Sequence, residues 1–206
     1  MEKRELLYEG KAKKIYATDD DHVVWVDYKD DATAFDGKKK GQISGKGELN
    51  NRISGIFFRY LEEKGISTHY LEELSATEQL VKHVTILPIE VVVRNIAAGS
   101  LAKRLGVEEG TPLRHAVVET YYKDDSLGDP LINDSHISVL ELATPEQVNK
   151  MKQIALQVND YLQQYLQARN VILVDFKLEF GLTPSGELLL ADEIAPDTCR
   201  FWDADT

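Results

Sequence analysis

The most regular alternation of apolar and polar positions lies in VILVDFKLEFG, residues Val171–Gly181. Successive side chains of a strand point to opposite faces of its sheet, so this pattern predicts a strand with one apolar and one charged face. The apolar face comprises Val174, Phe176, Leu178 and Phe180, and the charged face comprises Asp175, Lys177 and Glu179. We expect the charged face to line a cleft. A half-exposed edge strand with a ladder of lysine and carboxylates is the alternative interpretation.

Apolar residues at three-and-four spacing predict two longer helices. The first runs from about Glu48 to Lys64, and Gly65 is a typical residue just beyond a helix end. The second begins at Thr144 with a capping-box sequence and a proline in its first turn, and it ends near Asn170. The predicted buried positions are Leu49, Ile53, Ile56, Phe57, Tyr60 and Leu61 in the first helix, and Val148, Met151, Ala155, Val158, Leu162 and Tyr165 in the second.

Shorter runs of β-type residues occupy much of the remaining chain. Leu6–Tyr16 and His22–Tyr28 are joined by a polar turn and predict an antiparallel hairpin. The segment Asp30–Gly47 is rich in glycine and lysine and predicts a loop. Further strands are predicted at Thr77–Val84, Ile89–Asn95 and Leu113–Tyr122. A short linker ending in Pro88 indicates a hinge, and we place the boundary there between a first lobe, 1–86, and a second lobe, 87–206.

The composition bounds the class of protein. The chain has 206 residues, 43% of them hydrophobic and 29% charged, which is typical of a folded globular protein. No apolar run approaches the length of a membrane helix, so no membrane association is expected. The formal charge of −11 argues against a nucleic-acid-binding surface. The single cysteine, Cys199, excludes an internal disulfide and fits a reducing cytoplasm.

Local clusters of basic residues and glycine nevertheless suggest anion sites. The turn Glu9–Lys13 combines Gly10 with two lysines, which suits an anion held by backbone amides and charge; a lysine-rich surface turn is the alternative. The loop Gly41–Gly47 departs from the Walker A spacing, although its amides and Lys46 could still face an anion at the start of the following helix. Arg94 ends an apolar strand, and Ser100 is a suitable N-cap for a short helix that ends at Gly106. This region could bind a phosphate at the start of the helix, and a purely structural strand–turn–helix is the alternative.

Acidic and basic residues on two late strands suggest phosphoryl-transfer chemistry. Such chemistry depends mainly on positioning and charge neutralisation, and Mg²⁺ requires only a few carboxylates because phosphate and water supply its other ligands. Glu179 and Asp192 are the best candidates for metal ligands. A register slip by one residue would place Glu193 on that face instead, so the choice between Asp192 and Glu193 stays open. Lys177 could neutralise charge on a transferred phosphoryl group.

Five stretches of the sequence, covering nearly its whole length, resemble the SAICAR synthetase (phosphoribosylaminoimidazole-succinocarboxamide synthase) family of de novo purine synthesis. They are YEGKAKKIY, DDATAFDGKKK with GKGELNN, LPIEVVVRNIAAGSLAKRLG, VDFKLEFG and DEIAPDTCRFWD. The resemblance implies a ligase that uses ATP to join L-aspartate to a carboxyaminoimidazole ribotide through an acyl phosphate. A small-molecule kinase with a related ATP and magnesium site is the main alternative, and a nucleotide-binding regulator without catalysis is a second.

The resemblance also implies roles for individual residues. The ATP site would be formed by Gly10, Lys11, Ala12, Lys13, Ile15, Lys82 and Ile86. The ribotide would be bound by Arg94, Ser100, Lys123, Asp129 and Arg200. Asp175 and Lys177 would flank the reacting carboxylate, and Glu179 and Asp192 would hold Mg²⁺.

The implied fold is an α+β, two-lobed arrangement that resembles protein kinases and ATP-grasp enzymes, with an antiparallel sheet in the N-terminal lobe. A homodimer is compatible with the resemblance, while the sequence leaves the oligomeric state and the aspartate pocket open. Family members usually continue with a C-terminal helical segment beyond the position of Thr206. We expect the lack of that segment in this sequence to affect substrate closure and full activity.

Overall fold

The computed structural model describes residues 1–34 and 39–205 and has a mixed α+β architecture with antiparallel sheets. The chain forms two compact units. The first comprises Met1–Ile86 and Gly181–Ala195, and the second comprises Leu87–Phe180 and Pro196–Thr206. None of the helices in the described ranges is long and apolar enough to cross a membrane.

A five-stranded sheet dominates the first unit, with strand order β1-β2-β3-β7-β6. Its strands are β1 (Lys3–Glu9), β2 (Lys13–Thr18), β3 (Val23–Tyr28), β6 (Tyr70–Glu73) and β7 (Glu78–Lys82). The other elements are β4 (Asp31–Ala34), β5 (Lys39–Gln42), the helix α1 (Lys46–Glu63) and β12 (Leu188–Ala191). Val24, Val26, Tyr28 and Val81 form a buried apolar cluster on this sheet, with Ile15 packed against it.

The predicted N-terminal strand and loop both differ from what the structure contains. The run Leu6–Tyr16 is two strands rather than one, because the chain turns back at Gly10 and β1 pairs antiparallel with β2. The antiparallel pairing of β2 with β3 confirms the predicted hairpin. Within the segment Asp30–Gly47, β4 and β5 form an antiparallel ladder, so the prediction of an irregular loop is wrong for these residues. Residues 35–38 of that segment lie outside the described residues.

The helix α1 confirms the predicted element, and its buried face is only partly the predicted one: Phe57 and Leu61 are buried as expected, whereas Ile53 and Tyr60 are half-buried. Gly65 follows its end with φ 86°, and the amide of Ile66 donates to Leu61 O, as in a Schellman motif. Leu49 and Ile56, predicted as core, are exposed. Small and polar residues are buried instead, because the side chain of Asn51 donates to the carbonyls of residues 75 and 76. The buried residues of α1 are Gly47, Asn50, Asn51, Ser54, Gly55, Phe57, Phe58 and Leu61.

The second unit is built on strands in the order β10-β9-β8-β11, with β13 also paired to β11. These strands are β8 (Thr85–Ile96, which begins in the first unit), β9 (Pro112–Tyr122), β10 (Leu131–Ile132), β11 (Val171–Leu182, which ends in the first unit) and β13 (Cys199–Asp203). The helices are α2 (Gly99–Leu105), α3 (Asp134–Val139) and α4 (Pro145–Gln167), with a short 3-10 helix at Asp125–Leu127.

The helix α4 is the element that the sequence predicted most completely. Thr144 and Gln147 form the expected reciprocal capping box, with Pro145 in the first turn. Five of the six predicted core positions are buried, and Tyr165 is half-buried. Asn159 on this helix exchanges hydrogen bonds with Asn95 on β8, and Asn95 also donates to Leu173 O on β11. These bonds join α4 to β8, and through Asn95 they join β8 to β11; both strands carry candidate site residues.

Four other features differ from the sequence-based predictions. β11 lies between β8 and β13, so the edge-strand interpretation is wrong. Pro88 lies within β8 rather than in a linker, although the two compact units divide at Ile86 and Leu87. Residues 181–195, which were predicted for the second lobe, belong to the first unit. The N-cap of α2 is Ala98 and not Ser100.

Candidate active site

The turn between β1 and β2 places Gly10, Lys11 and Ala12 at the end of the first unit's sheet. The amide of Gly10 donates to Lys13 O at 2.9 Å, and Ala12 O accepts from the amide of Lys29 at 2.8 Å. The Lys29 ammonium contacts Glu9 and Asp31 at 2.8 and 2.7 Å. The turn is therefore held by its own backbone and by an adjacent ion-pair cluster.

Lys13 connects this turn to the acidic residues that follow β12. Its Nζ lies 2.6 Å from Asp192 Oδ1 and 3.5 Å from Glu193 Oε2. Burial alone would lower the pKa of the Lys13 ammonium, but the two carboxylates outweigh burial and raise that pKa well above its ordinary value. Lys13 therefore stays charged at neutral pH and holds both acidic side chains.

The backbone of Asp192 explains why both carboxylates reach one ammonium. Asp192 has φ 60°, in the left-handed region that residues other than glycine rarely adopt. In an extended strand, Asp192 and Glu193 would point to opposite faces. The left-handed conformation of Asp192 breaks that alternation. The carboxylates of Asp192 and Glu193 therefore both lie near Lys13, and they are not exclusive alternatives.

The remaining predicted nucleotide-site residues also belong to the first unit. Ile15 on β2 packs against the apolar cluster of β3 and β7. Lys82 ends β7, and its Nζ lies 3.5 Å from Thr68 O. Ile86 is half-buried near the start of β8. Lys13 is opposite Tyr28 in the β2–β3 ladder, and its Nζ lies 5.5 Å from the centre of the Tyr28 ring. Lys13 and Ile15 are two residues apart on β2, so their side chains share one face of that strand.

The amides at the start of α1 have an internal partner. Gly45 N donates to Asp30 Oδ2 at 3.2 Å, and Gly47 N donates to Asp30 Oδ1 at 2.9 Å. A side chain at Gly47 would meet Tyr28 O at 2.7 Å, so glycine permits this close approach of the helix to β3. The carboxylate of Asp30 takes the place that the sequence analysis assigned to an external anion.

Arg94 is the centre of a buried network in the second unit. Its Nη1 donates to Asp175 Oδ2 and its Nε to Glu119 Oε2, both at 2.8 Å. Its Nη2 donates to the hydroxyls of Ser100 and Tyr121 at 3.0 and 3.1 Å. Burial alone would lower the pKa of the Arg94 guanidinium, and the hydrogen bonds to Glu119 and Tyr121 raise it instead. Nearly all of the donors of this guanidinium are therefore used inside the protein.

Arg200 is the more accessible arginine of the same network. The β11–β13 ladder places it opposite Asp175, and its Nε donates to Asp175 Oδ1 at 2.8 Å. Its side chain is 41% exposed, whereas that of Arg94 is 5% exposed. Gly99 has φ +53°, and a side chain there would lie 2.6 Å from Arg200 Nη2. Glycine at this position allows the Arg200 guanidinium to lie against the start of α2.

A second cluster of charges lies further along β11. Lys177 Nζ contacts Glu90 Oε1 at 2.7 Å and Glu179 Oε1 at 2.9 Å. Lys123 Nζ contacts the same Glu179 oxygen at 2.6 Å. Glu179 is only 3% exposed, and the two ammonium groups compensate for the loss of water around its carboxylate. The charged face of β11 is thus a set of ion pairs with strands β8 and β13 and with the residue that follows β9.

Some site-region residues have structural roles that the sequence did not reveal. Asp129 has φ 47°, and its Oδ1 accepts from the amide of Asp124 at 2.8 Å, so it shapes the loop after β9. The sequence analysis also missed Glu90, Glu119 and Tyr121. The spacing of Glu119 and Tyr121, which places both on one face of β9, was a signal for two of these three residues.

The carboxylates suit a hard divalent cation without forming a complete protein cage. In the described part of the chain, no group of three or more His, Cys, Asp or Glu side chains is placed to hold a metal ion. Mg²⁺ commonly binds through one or two carboxylates and takes its other ligands from phosphate and water. The adjacent carboxylates of Asp192 and Glu193 at Lys13 fit that requirement.

Comparison with known proteins gives one consistent result. The sequence model of the SAICAR synthetase family matches residues 6–206. The chain is 64% identical, over its full length and 86% of the relative, to the phosphoribosylaminoimidazole-succinocarboxamide synthase of Brevibacillus brevis. It is similar to the crystal structure of the Ehrlichia chaffeensis synthase, with TM-score 0.96 and 46% identity over 98% of this chain and 86% of the other. A SAICAR synthetase solved in complex with ADP gives TM-score 0.94 and 51% identity over 98% and 85%.

Proposed function

The chain belongs to the SAICAR synthetase family, and from that premise we propose that it is an ATP-dependent ligase of de novo purine synthesis. It joins L-aspartate to the carboxylate of 5-amino-1-(5-phosphoribosyl)imidazole-4-carboxylate and gives SAICAR, ADP and phosphate. The single observation that carries this proposal is the family match over residues 6–206. The second candidate, a small-molecule kinase, would use similar nucleotide chemistry but would not require aspartate.

The chemistry requires activation of a carboxylate. An amine cannot usefully displace an oxygen from a carboxylate, because no adequate leaving group is present. Transfer of the γ-phosphoryl group of ATP to a carboxylate oxygen gives an acyl phosphate and ADP. Attack by the amine of aspartate then forms the amide and releases phosphate. The first step needs no general base, since the carboxylate is already ionised, and positioning of charge supplies most of the catalysis.

We assign the ribotide to the charged network of the second unit. Arg200 is proposed to contact the ribotide phosphate directly, supported by its exposure and by its place against the start of α2. Arg94 and Ser100 would contribute mainly by holding the network in place, since Arg94 already donates to four partners. Asp175 would orient both arginines. Lys177 would neutralise charge near the reacting carboxylate, and Lys123 and Asp129 remain weaker candidates for substrate contact.

We assign ATP to the first unit, at Gly10, Lys11, Ala12, Lys13, Ile15, Lys82 and Ile86. The binding of ADP by a similar SAICAR synthetase supports a nucleotide site in this family. Glu179 and Asp192 are proposed magnesium ligands, and Glu193 is an alternative because it shares Lys13 with Asp192. When bound, Mg²⁺ would neutralise charge on the phosphates. Lys13 would hold the acidic side chains in place before the metal arrives.

We also propose four properties that follow from the family resemblance. The fold resembles protein kinases and ATP-grasp enzymes, the two units act as catalytic lobes, the protein is cytoplasmic, and it forms a homodimer. The single cysteine, which is buried, supports a reducing compartment. The acidic net charge supports small-molecule partners rather than nucleic acid.

The test is release of ADP from ATP in the presence of the ribotide, with and without L-aspartate. The proposal predicts sustained ADP release and formation of the succinocarboxamide only when aspartate is present. A stable phosphorylated product formed equally well without aspartate would favour the kinase. Nucleotide binding without turnover under any substrate combination would favour a regulator.

A further inference from the structure

Glu90 is a mostly buried carboxylate to which the proposed function assigns no role. It is the only acidic residue in the strand sequence LPIEVVVRN, and its side chain is 13% exposed. Burial of a carboxylate is costly unless a cation compensates for the lost water. The compensating group is the ammonium of Lys177 on β11, whose Nζ donates to Glu90 Oε1 at 2.7 Å. The acid in this apolar strand is therefore explained by Lys177 and not by packing of the core.

The same face of β8 carries Arg94, so two pairs of opposite charge join β8 to β11. Glu90 and Arg94 are four residues apart on the strand, and side chains at an even spacing share a face. Arg94 pairs with Asp175, whereas Glu90 pairs with Lys177, so the signs of the charges are reversed between the two pairs. The backbone of Lys177 is held as well, because its amide donates to Thr198 O at 2.8 Å. Glu90 thus defines where the ammonium of a strand residue with a fixed backbone lies.

The carboxylate of Glu179 is used by two ammonium groups at a single oxygen. Lys123 Nζ and Lys177 Nζ donate to Oε1 at 2.6 and 2.9 Å. The second oxygen, Oε2, accepts no hydrogen bond within the part of the chain that the structure describes. Lys177 therefore lies between two carboxylates, with Glu90 on one side and Glu179 on the other.

This arrangement determines what happens to each lysine when a cation approaches Glu179. A divalent cation on that carboxylate would repel both ammonium groups. Lys123 is 41% exposed, so water can solvate its ammonium after it leaves Glu179. Lys177 is 27% exposed and keeps Glu90 as a counter-charge. If the charge of Glu90 were removed, Lys177 would bind Glu179 more strongly and would compete with the cation.

We propose that Glu90 is a positioning residue that draws the Lys177 ammonium away from Glu179, so that Glu179 can accept a divalent cation while Lys177 stays on the charged face of β11. This inference rests on the proposed function in taking Glu179 as a magnesium ligand. Groups that orient metal ligands without touching the metal typically change metal affinity by about 10–100-fold when they are lost. Loss of the Glu90 charge should therefore weaken metal binding, and the effect should depend on Lys177.

The test is a double-mutant cycle of Glu90→Gln and Lys177→Gln in the full chain. Glutamine at position 90 keeps the shape and the acceptor oxygen of glutamate and removes only the charge. Mn²⁺ binding is measured by electron paramagnetic resonance, with ADP held below the protein concentration, and thermal unfolding without metal checks that each variant is folded. We expect Glu90→Gln to bind Mn²⁺ at least about tenfold more weakly than the wild type. In the Lys177→Gln background the same change should alter the affinity less than about twofold, because no ammonium remains to compete.

Two further variants separate the charge of Glu90 from a general effect on folding. Glu90→Asp keeps the charge on a shorter side chain, so its Mn²⁺ affinity should lie within about threefold of the wild type. Glu72→Gln removes an exposed glutamate from β6 and is the matched control, which should leave the affinity unchanged. In steady-state assays Glu90→Gln should raise the activation constant for Mg²⁺ and lower kcat, while the KM for ATP at saturating Mg²⁺ stays within about twofold.

Three results would overturn the inference. They are unchanged Mn²⁺ affinity in Glu90→Gln, an equal loss from Glu90→Gln in both backgrounds of the cycle, and an equal loss in Glu90→Gln and Glu90→Asp. Glu179→Gln is titrated alongside, and if it bound Mn²⁺ as tightly as the wild type, Glu179 would not be the ligand and the inference would fall with that assignment. If the wild type formed no succinocarboxamide although Mn²⁺ binding showed the expected cycle, the proposed ligase function would fail and the role of Glu90 would stand.

Discussion

Replacement of Arg94 by alanine should destabilise the second unit much more than replacement of Arg200. The Arg94 side chain is 5% exposed and pairs with the carboxylates of Glu119 and Asp175, which are 10% and 6% exposed. Its removal would leave two buried acids with fewer cationic partners. An uncompensated buried charge is far more costly than a lost surface ion pair, because water cannot replace the missing partner.

The remaining contacts set the size of the effect. Removal of one member of a buried ion pair typically costs about 3–5 kcal/mol. Asp175 would keep Arg200, and Glu119 would keep Arg104 and the Tyr121 hydroxyl. We therefore expect the lower end of that range for Arg94→Ala, about 3 kcal/mol. Arg200 is 41% exposed and is paired with Asp175, so Arg200→Ala should cost only about 0.5–1 kcal/mol.

The two tryptophans allow each unit to be followed separately. Trp25 lies in β3 of the first unit, and Trp202 lies in β13 of the second. Denaturant unfolding of the variants in a Trp25→Phe background would report on the second unit through Trp202 fluorescence. Arg52→Ala, which removes a 56% exposed arginine from α1, is the control and should leave the transition unchanged. Equal destabilisation by Arg94→Ala and Arg200→Ala would refute the argument that Arg94 is the structural centre.

Three further predictions follow from individual contacts. Gly99→Ala should raise the KM for the ribotide at least about tenfold with little change in the KM for ATP. The new side chain would be strained at a positive φ and would displace Arg200. Equal effects on both KM values in steady-state assays would contradict this prediction. Glu179→Gln should reduce kcat at least about a hundredfold and raise the activation constant for Mg²⁺. The reason is that it removes a proposed metal ligand, which also pairs with Lys177 and Lys123. Wild-type activity in this variant would exclude Glu179 as a metal ligand. Burial opposes ionisation of Glu78, but hydrogen bonds from Lys3, Trp25 and Ser75 lower the pKa of its carboxyl below its ordinary value of 4.5. The ionised carboxylate therefore contributes less than about 1 kcal/mol to stability above that pH. This contribution is lost as the pH falls through the pKa of the folded state. Glu78→Gln should therefore flatten the acid side of the stability profile, and an unchanged slope between wild type and variant in urea titrations would contradict the effect.

Periodicity predicted those elements whose burial depends on apolar side chains. α4 and β11 follow this rule, and their bounds and apolar positions agree closely with the sequence pattern. In α1 the helix was predicted, but only Phe57 and Leu61 of its six predicted core positions are buried. Asn51 and Ser54 are buried there because they hydrogen-bond to backbone groups of other segments. A polar residue whose partner is distant in sequence carries no local signal of burial.

The same limitation applies to the candidate site. The sequence indicated an anion site near Arg94, but Glu119 and Asp175 become its neighbours only through strand register, which the local pattern did not specify. The alternation rule also suggested a choice between Asp192 and Glu193. A left-handed backbone at Asp192 removes that choice, and nothing in an Asp-Glu pair predicts such a conformation.

The transfer of an oxygen atom tests the proposed ligase chemistry most directly. The ribotide is prepared with ¹⁸O in its carboxylate and incubated with ATP, Mg²⁺ and L-aspartate, and the released phosphate is analysed by mass spectrometry. An acyl phosphate route predicts one ¹⁸O atom in each phosphate, because the amine of aspartate displaces phosphate together with a carboxylate oxygen. Succinocarboxamide formation with unlabelled phosphate would contradict the account.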